Sequence, residues 1–472
     1  MPVLIHLVGQ ILLIPEKYHP LTFYTNATGV LTPVSGEQQS QLVRWRLSTF
    51  WVCLVGYVGY YLCRGNLSAA FPLLEQEFGY SNTQLGLIAS LSEIAYATGK
   101  FINGPLADKV GGRRIFLIGM AGAIFWNLIF ALSSSLTAFI IVWCMCRYFL
   151  SMGWGGLTKT IGNWYPPERN GTIMGLISVN FQFGGIAATL FAALLVYRNV
   201  SWQGLFIYPA LVLTAIFVWS AIFSKSSPKD VLPDVTLSKG DDEKKAQIAD
   251  YGEENDPSIK VIIKALLGLP IYRQLLVFSF LTTMLRSVFF FWTPMFLVDI
   301  GLNVFDSILQ SAIFSFLGVL GTVLIGWYTD NYAKNGDRAR TMWLMLICLV
   351  VSLAGIALMS SLEAPNYSLI LVFLGSSGFF LLGPYSMSSG CLTLDIAGAK
   401  GAGSCTGIID GLGYIGGALA AFGAGYLSDI LGWSQVFVVL AGLAAISTVS
   451  AYMMSREFQR ISLSDIGAAS SG

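Results

Sequence analysis

Apolar runs long enough to cross a bilayer recur from about residue 48 to residue 455, and each crossing needs about 20 residues of helix. Only 11% of the 472 residues are charged, where a soluble globular domain carries about 25%, so one large soluble core does not fit. An integral membrane protein follows. Six spans are expected near 48–74, 83–108, 115–133, 136–158, 170–196 and 203–223, and six more near 272–298, 307–331, 342–361, 367–391, 403–429 and 434–455. The expected fold class is therefore an all-α membrane protein, with twelve transmembrane helices in two pseudo-symmetric six-helix bundles.

The stretch 224–264 holds 16 of the chain's 53 Lys, Arg, Asp and Glu residues together with Pro228, Pro233 and Pro257, which reads as a solvated linker. Its charge run Asp241–Lys245 is a solvation device rather than a binding site. The expected organisation is an N-terminal segment 1–46, a bundle 47–223, a linker 224–268, a second bundle 269–455 and a tail 456–472. The apolar stretch Val3–Ile14 is too short to span and is followed by no small-residue cleavage site, so it is given no role.

Loop charges set the expected orientation. Lys109, Arg113 and Arg114 follow the second span, Arg169 the fourth, and Lys334, Arg338 and Arg340 the eighth, whereas the other side carries only Arg198. By the positive-inside rule both termini and the linker are cytoplasmic. Two membranes fit: the cell (inner) membrane, which is the first choice, and an internal membrane of a eukaryote.

Several chemistries fall away at this point. The only histidines, His6 and His19, precede the first span, and the seven cysteines (Cys53, Cys63, Cys144, Cys146, Cys348, Cys391, Cys405) lack metal or disulfide spacing. No catalytic residue, metal or cofactor is expected, and the chain does not read as an enzyme. A net charge of +1 gives no reason to expect nucleic acid as a partner. One chain holds both halves, so a monomer suffices.

The halves resemble each other. GPLADKVGGRR (Gly104–Arg114) follows the second span and GWYTDNYAKNGDRAR (Gly326–Arg340) the eighth, while SWQGLF (Ser201–Phe206) recurs as GWSQVF (Gly432–Phe437). Short Gly-Asp-Arg loops of this type mark the major facilitator superfamily, which the chain resembles throughout residues 47–455. Asp108 and Asp330 stand where they can pair with loop arginines, Arg113 and Arg114 in the first half, and steady one conformational state.

A cation in the middle of a spanning helix costs about 2.5–3.5 kcal/mol on insertion scales and needs a partner or a purpose. Arg64 lies in the first span, Lys100 in the second and Arg286 in the seventh. A pseudo-twofold axis along the membrane normal places Arg64 and Arg286 face to face across a central cavity. Two guanidiniums suit a dianion, because the planar fork of donors matches phosphate or carboxylate oxygens. The plainer alternatives are pairing of Arg64 with Asp410 or Glu93, and snorkelling of Lys100 or its pairing with Glu93. Arg147 in the fourth span reads as conformational. Tyr57, Tyr60, Tyr61, Tyr96, Trp154 and Tyr385 either shape the cavity with hydroxyl and indole donors or simply pack.

Five blocks sharpen the resemblance: YYLCRGN, GKFINGPLAD, GWGGLTKTIGNWYPPERNGT (Gly153–Thr172), LRSVFFFWTP and GIIDGLGYIGG (Gly407–Gly417). Together they resemble the organophosphate:phosphate antiporters, which include bacterial glycerol-3-phosphate and hexose-phosphate permeases and eukaryotic sugar-phosphate exchangers. The resemblance implies that Arg64 and Arg286 bind phosphate, that Lys100 joins the same site, and that a small phosphorylated metabolite is exchanged for inorganic phosphate. Asn180 stands where glycerol-3-phosphate permeases place a histidine, and Glu93 and Asp410 replace neutral residues of that subfamily. Substrate identity therefore stays open. Two further readings compete: proton-coupled organic anion transport through Glu93 or Asp410, and a transporter-like sugar-phosphate receptor.

Overall fold

The computed structural model describes residues 23–25, 31–33, 36–165, 173, 177, 180–232, 236–237, 267–332, 337–388 and 391–470. Arg169, Lys334 and the charge run 241–245 lie outside the described residues, as do the side chains of Asp108 and Asp330.

Among the described residues thirteen α-helices make up twelve crossings. In the first half they are α1 (Gly36–Phe78), α2 (Asn82–Val110), α3 (Gly112–Ala131), α4 (Leu136–Leu150), α5 (Met152–Trp164), α6 (Asn180–Tyr197) and α7 (Gly204–Phe223). In the second half they are α8 (Pro270–Asp299), α9 (Val304–Tyr332), α10 (Arg338–Ser360), α11 (Tyr367–Ser388), α12 (Cys391–Leu431) and α13 (Trp433–Ser470). Helices α4 and α5 form one crossing with a step at Ser151, whose hydroxyl donates to the Tyr148 carbonyl at 2.6 Å. Among the described residues, nine crossings are long and apolar enough to span a membrane by composition. Helices α1 and α2 are not among them, and they carry Arg64, Glu93 and Lys100.

Polar residues at the helix ends explain where the crossings stop. Ser81 caps α2 in a reciprocal box with Gln84, and the Ser135 hydroxyl accepts from the Ala138 amide at the start of α4. Asp337 accepts from the Arg340 amide at 3.0 Å and from the Ser455 hydroxyl at 2.6 Å, so one carboxylate caps α10 and ties it to α13.

Within the first half, α1 packs on α6 and α7, and α3 on α4, α5 and α7. Within the second, α8 packs on α12 and α13, and α10 on α11 and α13. The halves meet along α1 with α8, α2 with α12, and α6 with α9. Exchanging the halves converts the contact of the second and eleventh crossings (α2, α12) into that of the eighth and fifth (α9, α6), as a twofold axis requires. Three antiparallel strands, β1 (Phe23–Thr25), β2 (Leu31–Pro33) and β3 (Thr236–Leu237), run in the order β2-β1-β3 and join the N-terminal segment to the linker. The linker thereby gains a local anchor that its charge content did not suggest.

At the face opposite the linker the halves are sealed. The Asp429 carboxylate of α12 accepts from the Asn82 and Thr83 amides of α2 at 3.1 and 2.7 Å. Gly86 of α2 and Gly425 of α12 bring these helices together: a methyl at Gly86 would meet the Ala421 carbonyl oxygen at 3.1 Å, and one at Gly425 would run into the Asn82 carbonyl oxygen.

Candidate substrate site between the bundles

Helical spacing gathers the polar residues of the core onto facing stripes. On α1, Tyr57, Tyr61, Arg64 and Ser68 recur at three- and four-residue intervals; on α2, Glu93, Tyr96 and Lys100 do the same; on α12, Asp410 and Tyr414 are four apart. These stripes meet where α1, α2, α8 and α12 converge.

Four cations and two carboxylates lie in this region, and the pairing among them decides the site's charge. Glu93 takes Arg147, which is 1% exposed, in a short buried ion pair. Lys100 takes Asp410 across the boundary between halves at 3.5 Å. Neither carboxylate pairs with Arg64, and Lys100 pairs with Asp410 rather than Glu93. Arg64 and Arg286 are left without a carboxylate partner among the described residues. Two ion pairs and two guanidiniums without a carboxylate leave this region with two net positive charges among the described residues.

Aromatic rings hold those guanidiniums where carboxylates do not. The Arg64 Cζ lies 4.7 Å from the Tyr96 ring centre, 5.5 Å from that of Tyr61 and 5.6 Å from that of Phe290, which belongs to the other half. Its Nη1 donates to the Tyr96 hydroxyl at 3.4 Å, while its Nε has no hydrogen-bond partner among the described residues. A buried donor without an acceptor carries a desolvation cost. The Arg286 Cζ lies 5.1 Å from the Tyr385 ring centre. Arg286 lines a cavity whose wall includes Tyr61 and Phe290, two of the rings that lie against Arg64.

Tyr96 links the whole constellation. Its ring lies against Arg64, Lys100 (5.5 Å) and Arg147 (4.6 Å), and packs at 5.1 Å on Tyr414, which itself sits 4.6 Å from the Lys100 ammonium.

Other expected site residues are engaged elsewhere. The Tyr60 hydroxyl donates to the Phe116 carbonyl at 2.6 Å, and the Asn180 amide donates to the Leu54 carbonyl at 3.2 Å, so both polar groups are tied to backbone. Trp154 packs on Tyr57 at 5.4 Å. Arg113 donates to the Ser224 hydroxyl and to the Ala221 carbonyl, fastening the first turn of α3 to the end of α7, while Arg114 is exposed. Tyr414 and Phe290 were not singled out from the sequence, although each stands four residues after a charged residue that was, Asp410 and Arg286. Gln182, Ser68 and Ser311 also reach the cavity and gave no signal, since isolated small polar residues are common in spanning helices.

A profile described as Major Facilitator Superfamily matches residues 53–421. The chain belongs to that superfamily. As a major facilitator protein it is a multi-pass membrane transporter and not an enzyme. It is 27% identical over 415 residues to a glycerol-3-phosphate transporter of Bacillus subtilis, covering 86% of this chain and 91% of the relative. A probable hexose phosphate transport protein of Chlamydia trachomatis is 25% identical, with 87% and 91% covered, and the membrane sensor protein UhpC of Escherichia coli is also 25% identical, with 86% and 91% covered. The resemblance to the organophosphate:phosphate antiporters thus extends through both halves of the molecule. Among solved structures, an inward-facing, occupied bacterial homologue of the human lysosomal transporter Spinster superposes with a TM-score of 0.71 at 11% identity, covering 88% of this chain and 98% of that one. A D-xylose–proton symporter gives 0.68 at 13%, with 86% and 97% covered. These two likenesses establish the fold alone.

Proposed function

We propose that this major facilitator protein exchanges a small organic phosphate for inorganic phosphate by alternating access. The observation that carries the reading is the pair Arg64 and Arg286: one from each half, Arg286 on the wall of a cavity and Arg64 against two of its rings, Tyr61 and Phe290, and neither met by a carboxylate among the described residues. A phosphate dianion supplies the two missing charges. It also draws the halves together, whereas an empty site leaves like charges facing each other and opposes closure. Exchange rather than one-way flux follows from that coupling.

Lys100, with Tyr96 and Tyr414, extends the donor set on the α2–α12 side, and Tyr385 positions Arg286. Residues 47–223 and 269–455 act as the two rocking units, a single chain being sufficient. The basic loops set the linker and both termini on the cytoplasmic side of the cell membrane. The face sealed by Asp429 is then the outer one.

The carboxylates on which proton-coupled transport would rest, Glu93 and Asp410, are both engaged in ion pairs with cations, which gives that reading no support. The similarity to a membrane sensor protein supports a second reading, binding of a sugar phosphate without appreciable flux. Counterflow of labelled inorganic phosphate in proteoliposomes tests both. Saturable phosphate self-exchange that is inhibited by a phosphate ester supports the exchanger. Ester binding without flux supports the sensor.

A further inference from the structure

We propose that Trp292 is the removable wedge of the sealed face: fixed within its own half by a hydrogen bond, pressed on the other half by apolar contact, and withdrawn when that face opens. Trp292 lies on α8 six residues beyond Arg286, about 9 Å at 1.5 Å per residue, toward the end of the helix at Asp299. Its side chain is 1% exposed, so an indole fills the interior between the Arg286 level and the sealed face.

The two sides of the indole are held differently. On its own side, Nε1 donates to the Ala421 carbonyl of α12 at 2.9 Å, the ring packs on Trp433 of α13 at 5.7 Å, and a methyl at Gly425 would come within 2.7 Å of it. An indole has one N–H and no acceptor, so that single bond uses its whole polar capacity. What it offers the other half is apolar surface. There it meets the Phe71 ring of α1 at 5.1 Å and Gly86 of α2, where a methyl would stand 3.3 Å from the indole. Contact of this kind separates and re-forms without stranding a polar group, as a surface that opens and closes in every cycle requires.

Helix α8 is loosened at the same level. Pro294 has no N–H, so the Phe290 carbonyl lacks its helical donor and the helix bends more readily there. The neighbouring Phe291 carbonyl accepts from the Ser68 hydroxyl of α1 at 2.9 Å, and both Phe290 and Ser68 line the cavity of Arg286. Wedge and cavity wall thus share one turn of α8. Under the exchange reading a ligand drawn to Arg286 pulls on the helix that carries the wedge, whereas the wedge itself does not depend on that reading.

Spin-label distances between Glu77 and Ile430, measured on the full chain without native cysteines, in lipid nanodiscs free of phosphate, test the proposal. Phe71→Ala and Trp292→Ala remove the same contact from opposite halves. Each is expected to raise the ratio of open to closed populations of this face by at least about twofold, and up to about tenfold for the aromatic pair alone. The double variant should open no further than Trp292→Ala, because Phe71 acts through the indole. Trp292→Phe keeps a ring but gives up the bond to Ala421, and should fall between the parent and Trp292→Ala. Unchanged populations in Phe71→Ala, or additive shifts in the double variant, overturn the wedge and leave the exchange reading standing, since no phosphate is present. If Trp292→Ala does not fold, Phe71→Ala and Trp292→Phe decide: a shift toward opening in both supports the wedge, and parental populations in either overturn it.

Discussion

Asp429 and Thr83 lie in different halves of the molecule, yet the Asp429 carboxylate accepts from the Thr83 backbone amide at 2.7 Å and from its hydroxyl. With the bond from the Asn82 amide, this places an anion on the first turn of α2, where amides are unpaired and the helix dipole is positive. A helix cap is thus supplied from across the boundary between halves. The cap exists only when this face is closed. Removing it should cost the closed state about 0.5–2 kcal/mol, the usual worth of a cap. Asp429→Ala should therefore shift the balance toward opening of this face. Electron–electron distance measurements between spin labels at Glu77 and Ile430, in a background without native cysteines, should show a larger long-distance population. Identical distance distributions in variant and parent would remove the cap from the closing mechanism.

Much of the fold was legible because apolar run length alone marks a crossing. The limits of α1 were less so: the helix begins at Gly36, twelve residues before the apolar run at 48, and its added turns are mixed in polarity. The step at Ser151 was hidden because a run of apolar residues with glycines reads as one span. Within the site, the sequence identified the charged residues but not their partners. Glu93 and Arg147 stand 54 positions apart, and only the rotation of α2 against α4 decides that they meet. Asp410 and Lys100 meet across the two halves, where no spacing rule reaches. Asp429, at the end of an apolar helix, has the look of an ordinary interface residue; its capping role exists only in three dimensions.

The Lys100–Asp410 pair spans the halves at partly exposed positions, so its coupling should be modest, about 0.2–1 kcal/mol. Asp410→Asn leaves Lys100 as a third uncompensated cation near Arg64 and should slow exchange. Lys100→Gln alone leaves an unpaired anion near the proposed phosphate site, and should slow it too. The double variant should be faster than the product of the single effects predicts, by up to about fivefold, which is what that coupling allows. Strictly additive losses in the proteoliposome assay would show that the two residues act separately.

Arg147 and Glu93 are a different case, because neither has access to water. Breaking a buried pair by removing one charge costs about 3–5 kcal/mol, since the survivor stays desolvated and unpaired. Glu93→Gln should sharply lower the thermal stability of the purified protein in detergent. Replacing both, as Glu93→Gln with Arg147→Met, should recover much of that loss, because neither member of the pair is then left as a buried unpaired charge. A Glu93→Gln variant as stable as the parent would mean that Arg147 finds another partner.

Arg64→Lys and Arg286→Lys separate charge from shape. Lysine preserves each positive charge but loses the planar fork and its stacking on Tyr96 or Tyr385. If charge alone attracts phosphate, exchange should survive. If bidentate recognition is required, each variant loses at least one charged hydrogen bond of about 1.5–3 kcal/mol, and exchange should fall by about ten- to a hundredfold. The second outcome is expected, because the Arg64 Nε has no hydrogen-bond partner among the described residues and a lysine offers no donor at that position. The loss should appear in phosphate self-exchange as well as in ester exchange, since both substrates share the phosphoryl group. Near-parental phosphate self-exchange in either lysine variant would remove that arginine from the phosphate site.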